Sequence, residues 1–223
     1  MFYKIIQLRT VLPESKHIAE INETHWQSKE TTEDWLKNRA DLAPETLSVF
    51  SKLTGDLDEG SRIMVIGFGP KTGEITFFAD KGYKVSGLEI NKGFIDKAKN
   101  LNLPNVRIIE KSVAKYKFGP DKWGLVVMLD VANWLPEEYW GATLKKIYNG
   151  LISGGHLYLR WPEGDGYIPK PGPERYIFHI LKDKLIALLQ KAGFDRDNIF
   201  ISKVTGKLPD GRIFEKYDAV VKK

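Results

Sequence analysis

The sequence predicts an α/β protein: an open, mostly parallel seven-stranded sheet ending in an antiparallel hairpin, preceded by N-terminal helices. Three observations predict it. Short apolar runs alternate with segments of helical periodicity from residue 61 onward, and Gly67-Phe68-Gly69 follows the first run directly. The last two runs are joined by a stretch containing Asp210-Gly211, a hairpin signal that makes the final strand antiparallel.

The elements follow in order. Ser15–Asn22 carries Ile18 and Ile21 at helical spacing, and Thr31–Arg39 carries Trp35 and Leu36. Pro44 suits a first helical position, with Leu47, Phe50 and Leu53 along one face and Gly55 as a stop. Ile63–Ile66 is a continuous apolar run, as expected of a strand buried on both faces of a parallel sheet. Thr72–Lys81 is helical, Tyr83–Leu88 is a second strand, Lys92–Leu101 a second helix and Val106–Ile109 a third strand. Trp123–Leu129 is the most hydrophobic run and therefore central. Pro136–Tyr148 places Trp140, Leu144 and Ile147 in register, and Gly155–Trp161 is a fifth strand. Pro162–Pro173, rich in proline and glycine, reads as a mobile loop. A helix over Arg175–Ala192, closed by Gly193, leads to the hairpin strands Asn198–Val204 and Ile213–Val221.

Composition bounds the chemistry. The 223 residues contain no cysteine, which excludes disulfides, thiolate metal sites and a cysteine nucleophile. Methylation at C5 of cytosine, which needs a thiolate adduct, goes with them. The four histidines form no close pair, so no metal site is expected. The net charge of +5 is uneven: residues 1–60 balance to −4 and the remainder to +9. Basic clustering of that kind can attract nucleic acid, although a solvated lysine-rich surface is the commoner meaning. No run is long enough for a membrane span and residues 1–20 lack a continuous apolar core, so a cytoplasmic protein is expected.

Two positions carry the chemical argument. Glycines at 67 and 69 allow a tight strand-to-helix turn and a close ligand approach to the backbone. Glu89 ends the second strand, 22 positions after Gly67, where a nucleoside-binding fold places a carboxylate against ribose hydroxyls.

In this order the elements resemble the class I S-adenosylmethionine-dependent methyltransferases over roughly residues 60–222. Ile63-Met64-Val65-Ile66-Gly67-Phe68-Gly69 and Ser86-Gly87-Leu88-Glu89-Ile90-Asn91 match the family's first two motifs. The resemblance implies a Rossmann-like three-layer sandwich over residues 61–223, with residues 1–60 as a helical cap. It implies S-adenosylmethionine as cofactor, held by Gly67, Phe68, Gly69, Glu89, Ile90, Ser112, Val113, Leu129 and Asp130. Three positions depart from the family pattern: Val65 replaces an acid, Lys71 a glycine, and Ser112 the adenine-binding aspartate. Leu129-Asp130-Val131-Ala132-Asn133-Trp134-Leu135-Pro136 is not the Asp/Asn-Pro-Pro-aromatic motif of amino-methylating nucleic-acid enzymes.

Methyl transfer from a sulfonium is an in-line displacement, so proximity and orientation dominate. Asp130 and His179 are the candidates for proton removal. Trp26, Trp35, Tyr167, Arg175 and Tyr176 lie in the segments expected to cover the strand ends and are candidate substrate contacts, and Trp134, after the fourth strand, is a candidate substrate wall. A small-molecule acceptor is the first expectation, since no separate recognition domain is visible. RNA or protein is the second, and a non-catalytic S-adenosylmethionine-binding module the third.

Overall fold

A computed structural model describes residues 14–38, 42–169, 176–207 and 213–223. Three helices come first: α1 (Ser15–Gln27), α2 (Lys29–Asn38) and α3 (Pro44–Gly55). The alternating portion runs β1 (Arg62–Ile66), α4 (Gly73–Asp80), β2 (Lys84–Glu89), α5 (Lys92–Lys99), β3 (Val106–Glu110), β4 (Trp123–Leu129), α6 (Glu137–Gly150) and β5 (Leu151–Trp161). Then come β6 (Gly166–Pro169), β7 (Tyr176–His179), α7 (Lys182–Ala192), β8 (Ile199–Lys207) and β9 (Ile213–Lys222).

Seven strands form one sheet in the order β3-β2-β1-β4-β5-β9-β8. The first five are parallel, and β9 slots antiparallel between β5 and β8. Every residue of β4 is buried, as its unbroken apolar run requires of a central parallel strand. The strand order reverses between β1 and β4, which opens a crevice at their carboxyl ends.

A hydrophobic layer fills each face of the sheet. On one, Trp123, Trp140 and Trp161 are fully buried among side chains of α6 and α7. Trp123 and Trp161 donate their indole N–H groups to the Phe118 and Ile180 carbonyls, both at 3.1 Å. On the other face, Phe50 of α3 packs against Phe78 of α4, with ring centroids 4.7 Å apart, and against Tyr158 of β5. Thus α3 belongs to the sheet's helical layer, whereas α1 and α2 lie over the strand ends. Helix termination also follows the sequence. Gly193 ends α7 at φ +120°, and a Cβ there would press on the Tyr148 ring.

Two expectations need correction. The helix predicted from Arg175 begins only at Lys182, because Tyr176–His179 is a strand paired antiparallel with Gly166–Pro169. Its aromatic and β-branched residues favour the extended form, and Phe178 buries itself against Trp140. The Pro162–Pro173 segment is correspondingly not a plain loop, since β6 occupies its middle. Residues 170–175 lie outside the described residues, as do 208–212 with the predicted Asp210-Gly211 turn.

Candidate active site

The crevice is bounded first by the glycine turn. Gly67 and Gly69 adopt φ +64° and +63°, which L side chains rarely tolerate. The Gly67 N–H donates to the Leu88 carbonyl at 2.7 Å, holding the turn against β2. A Cβ on Gly67 would collide with the Val131 side chain, whereas one on Gly69 would meet nothing within 4 Å. The close approach that demands glycine at 67 is therefore Val131, in the loop after β4.

Glu89 closes β2 and is 8% exposed. Its Oε1 accepts the N–H groups of Ile90 at 2.7 Å and Asn91 at 3.0 Å, while Oε2 has only a long contact, 3.4 Å, from the Gly69 N–H. Burial raises the carboxyl above its ordinary value, and the three backbone donors only partly oppose this. A buried carboxylate with one oxygen nearly free is a good acceptor for hydroxyl donors.

Asn91, next along the chain, was not singled out from the sequence. Its Oδ1 caps α5 by accepting the Phe94 N–H at 3.0 Å, and its Nδ2 donates to the Trp26 carbonyl at 2.5 Å and the Thr32 hydroxyl at 2.8 Å. An asparagine directly before a helix is an N-cap signal that could have revealed the first role. The second joins α1 and α2 to the end of β2 and leaves no local trace.

A cavity of about 330 Å³ occupies the crevice. Gly67, Gly69, Glu89, Ile90, Ser112, Val113, Leu129 and Asp130 all line it. Asp130 sits at φ +57°, and its Oδ1 is 2.7 Å from Lys216 Nζ on β9. The roof comes from α1. Trp26 stands edge-on to Trp134 and to Trp35, with centroids 4.9 Å and 5.0 Å away, and all three rings reach the cavity. Buried Asn22 clasps this roof in place. Its Nδ2 donates to the Trp134 and Tyr176 carbonyls, both at 2.8 Å, and its Oδ1 accepts the Tyr176 N–H at 3.0 Å. Across the rim, Lys115 and Glu23 pair at 3.0 Å. Tyr139 of α6 also lines the cavity and was missed, since it reads as an ordinary helix residue.

Other predicted residues fall elsewhere. Phe68 is 3% exposed and packs in the hydrophobic layer beside Gly87, so its side chain faces away from the cavity. His179 is not among the cavity's lining residues; its Nδ1 lies 3.1 Å from the Glu163 carbonyl, because β7 rather than a helix carries it. Tyr176 supports the roof through its backbone and does not line the cavity. Arg175 and the Tyr167 side chain lie outside the described residues. Among the described residues no group of histidines and carboxylates is arranged to hold a metal ion, and no helix is long and apolar enough to cross a membrane.

Residues 64–155 match a family model described as a methyltransferase domain. Comparison with curated proteins gives no match. Among solved structures, the chain is similar to the 1,6-didemethyltoxoflavin N1-methyltransferase of Burkholderia thailandensis, solved with 1,6-didemethyltoxoflavin and S-adenosylhomocysteine. The TM-score is 0.72 at 15% identity, covering 95% of this chain and 91% of that one. It is also similar to an S-adenosylmethionine-dependent methyltransferase of Methanosarcina mazei, with TM-score 0.67, 19% identity and coverage of 82% and 99%. A third is phosphoethanolamine N-methyltransferase 2 of Haemonchus contortus, solved with phosphomonomethylethanolamine and S-adenosylhomocysteine. There the TM-score is 0.68 at 13% identity, covering 92% of this chain and 60% of the longer neighbour. The matched segment is thus similar to a methyltransferase domain, and the chain shares the fold of these S-adenosylmethionine-dependent methyltransferases.

Proposed function

We propose that the chain transfers a methyl group from S-adenosylmethionine to a small-molecule acceptor inside the roofed cavity. The observation that carries this reading is the joining of a cofactor-type strand end, Glu89 beside the Gly67–Gly69 turn, to a substrate-sized space closed by α1. The residues fit the cofactor. Glu89 offers a nearly free Oε2 for ribose hydroxyls, while Ile90, Val113 and Leu129 supply apolar walls for an adenine and Ser112 a hydroxyl at its edge. Bound there, S-adenosylmethionine supplies an electrophilic methyl group on a leaving group that departs neutral.

The chain's own contribution is placement and exclusion of water. The roof of Trp26, Trp35 and Trp134, fastened by Asn22, closes the acceptor side. Asp130, held by Lys216, lines the same space and is the candidate to receive a proton where the acceptor loses one. His179 has no part in this reading, since its ring is engaged outside the cavity. The cap role belongs to α1 and α2, with the catalytic domain beginning near residue 61 and drawing α3 into its layers. Two of the similar structures hold small acceptors, which supports the same acceptor class here.

The test is labelled methyl transfer offered in parallel to a metabolite extract, bulk RNA and bulk protein, with calorimetry of S-adenosylhomocysteine alongside. Transfer to the metabolite fraction is expected. Transfer to RNA alone, toward which the +9 balance of residues 61–223 points, would overturn the small-molecule reading. Failure of S-adenosylhomocysteine to bind at millimolar concentration would overturn the cofactor reading.

A further inference from the structure

A second cavity, about 470 Å³, lies at the opposite end of the sheet, where β1 to β4 begin. Lys84 opens β2 and Glu89 closes it, so the two cavities are separated by about 16 Å of strand. Arg62, Lys84, Arg107 and Lys122 line this second cavity, and no aspartate or glutamate does. The crowding follows from strand register. Arg62 of β1 stands directly beside Lys84 of β2, and Arg107 of β3 pairs with Ser86, two residues further along the face that carries Lys84. Lys122 leans over the Trp123 ring, its Nζ 4.7 Å from the centroid, while Tyr116 forms part of the wall.

Like charges on adjacent strands repel, and a carboxylate neighbour is the usual relief. Among the described residues Arg62, Lys84 and Arg107 have no carboxylate within ion-pair distance. The face is also left bare by the fold. Helices α6 and α7 cover β4 and β5 on this side, whereas β3 stays half-exposed along its length. The outcome is a concave space lined by two guanidinium and two ammonium groups, which suits compact, multiply charged anions better than an extended strand.

We propose that this cavity is a binding site for a small ligand carrying two or more linked phosphate groups, distinct from the methyl-transfer cavity. Arg62 and Arg107 grip phosphate oxygens from two strands, and Lys84 and Lys122 neutralise the remaining charge.

The probe is inorganic tripolyphosphate, titrated calorimetrically into the full chain at low salt. Binding is expected, with a loss of about tenfold or more in a Lys84→Gln/Arg107→Gln variant. A Lys97→Gln variant, altered at an exposed position of α5 that does not line the cavity, should bind as the parent does. Unchanged S-adenosylhomocysteine binding in the double variant separates loss of this site from misfolding. Absence of tripolyphosphate binding, or equal binding by the double variant, overturns the proposal. So does binding of a single-stranded RNA oligomer that the double variant loses and that tripolyphosphate does not displace from the parent.

Discussion

Gly67 lends itself to a quantitative test because two separate penalties meet there. A Gly67→Ala side chain has to adopt φ +64°, and it also collides with Val131. Left-handed backbone at an L residue costs about 1–2 kcal/mol. Overpacking adds about 1–3 kcal/mol, depending on how far Val131 can move. Gly69→Ala at φ +63° meets only the first penalty, since nothing lies within 4 Å of its Cβ. The expected losses of stability are therefore about 2–5 kcal/mol at 67 and about 1–2 kcal/mol at 69. Urea denaturation of both variants, of Val131→Ala and of Gly67→Ala/Val131→Ala measures the collision directly. The double variant should recover about 1–3 kcal/mol relative to the sum of its parents. Equal losses at 67 and 69, or strict additivity with Val131→Ala, would refute the claim that Val131 is what demands glycine at 67.

Glu89 predicts a pH dependence. Burial raises its carboxyl in the free protein, and hydroxyl donors from a bound ribose stabilise the ionised form, so binding releases a proton. Affinity for S-adenosylhomocysteine should then climb as pH rises toward the raised value and level off above it. Glu89→Gln should bind about 1–3 kcal/mol more weakly and lose that slope. A parent protein with flat affinity across this range contradicts the assignment. Without ligand the sign is opposite: stability falls as pH rises from the ordinary glutamate value through the raised one, because the folded state holds the extra proton. For the roof, Asn22→Ala removes three hydrogen bonds of 2.8–3.0 Å, so hydrogen exchange of α1 should accelerate and the KM for the acceptor should rise while the sheet stays protected. Unaltered α1 exchange would show that the clasp does not hold the roof.

The parts of the fold that could be read from the chain are those whose cause is local. Val126 and Val127 sit in an unbroken apolar run because the central strand is buried on both faces, and that run marks β4 without reference to anything distant. The same holds for Gly67 and Glu89, whose spacing is set by one strand-helix-strand unit. The helix predicted over Arg175–Ala192 failed at its start because nothing local divides it. Ile180 and Leu181 are apolar, and Leu181 precedes the first helical turn without any side-chain cap. What makes Tyr176–His179 a strand is its partner, Gly166–Pro169. Asn22 was equally hidden. It meets Trp134 and Tyr176, residues 112 and 154 positions away, and nothing around it in the chain announces either.

The placement of Asn91 has a reciprocal consequence. One amide caps α5 beside Glu89 and grips Trp26 and Thr32, so the docking of α1–α2 and the shape of the strand end share a single fastening. Whatever free energy a ligand at Glu89 gains from the docked arrangement is returned to the docked arrangement when that ligand binds. Under the proposed function, the first two helices are then a gauge of occupancy as well as a cover. Substitutions in α2, such as at Thr32, can retune affinity at a site they never touch.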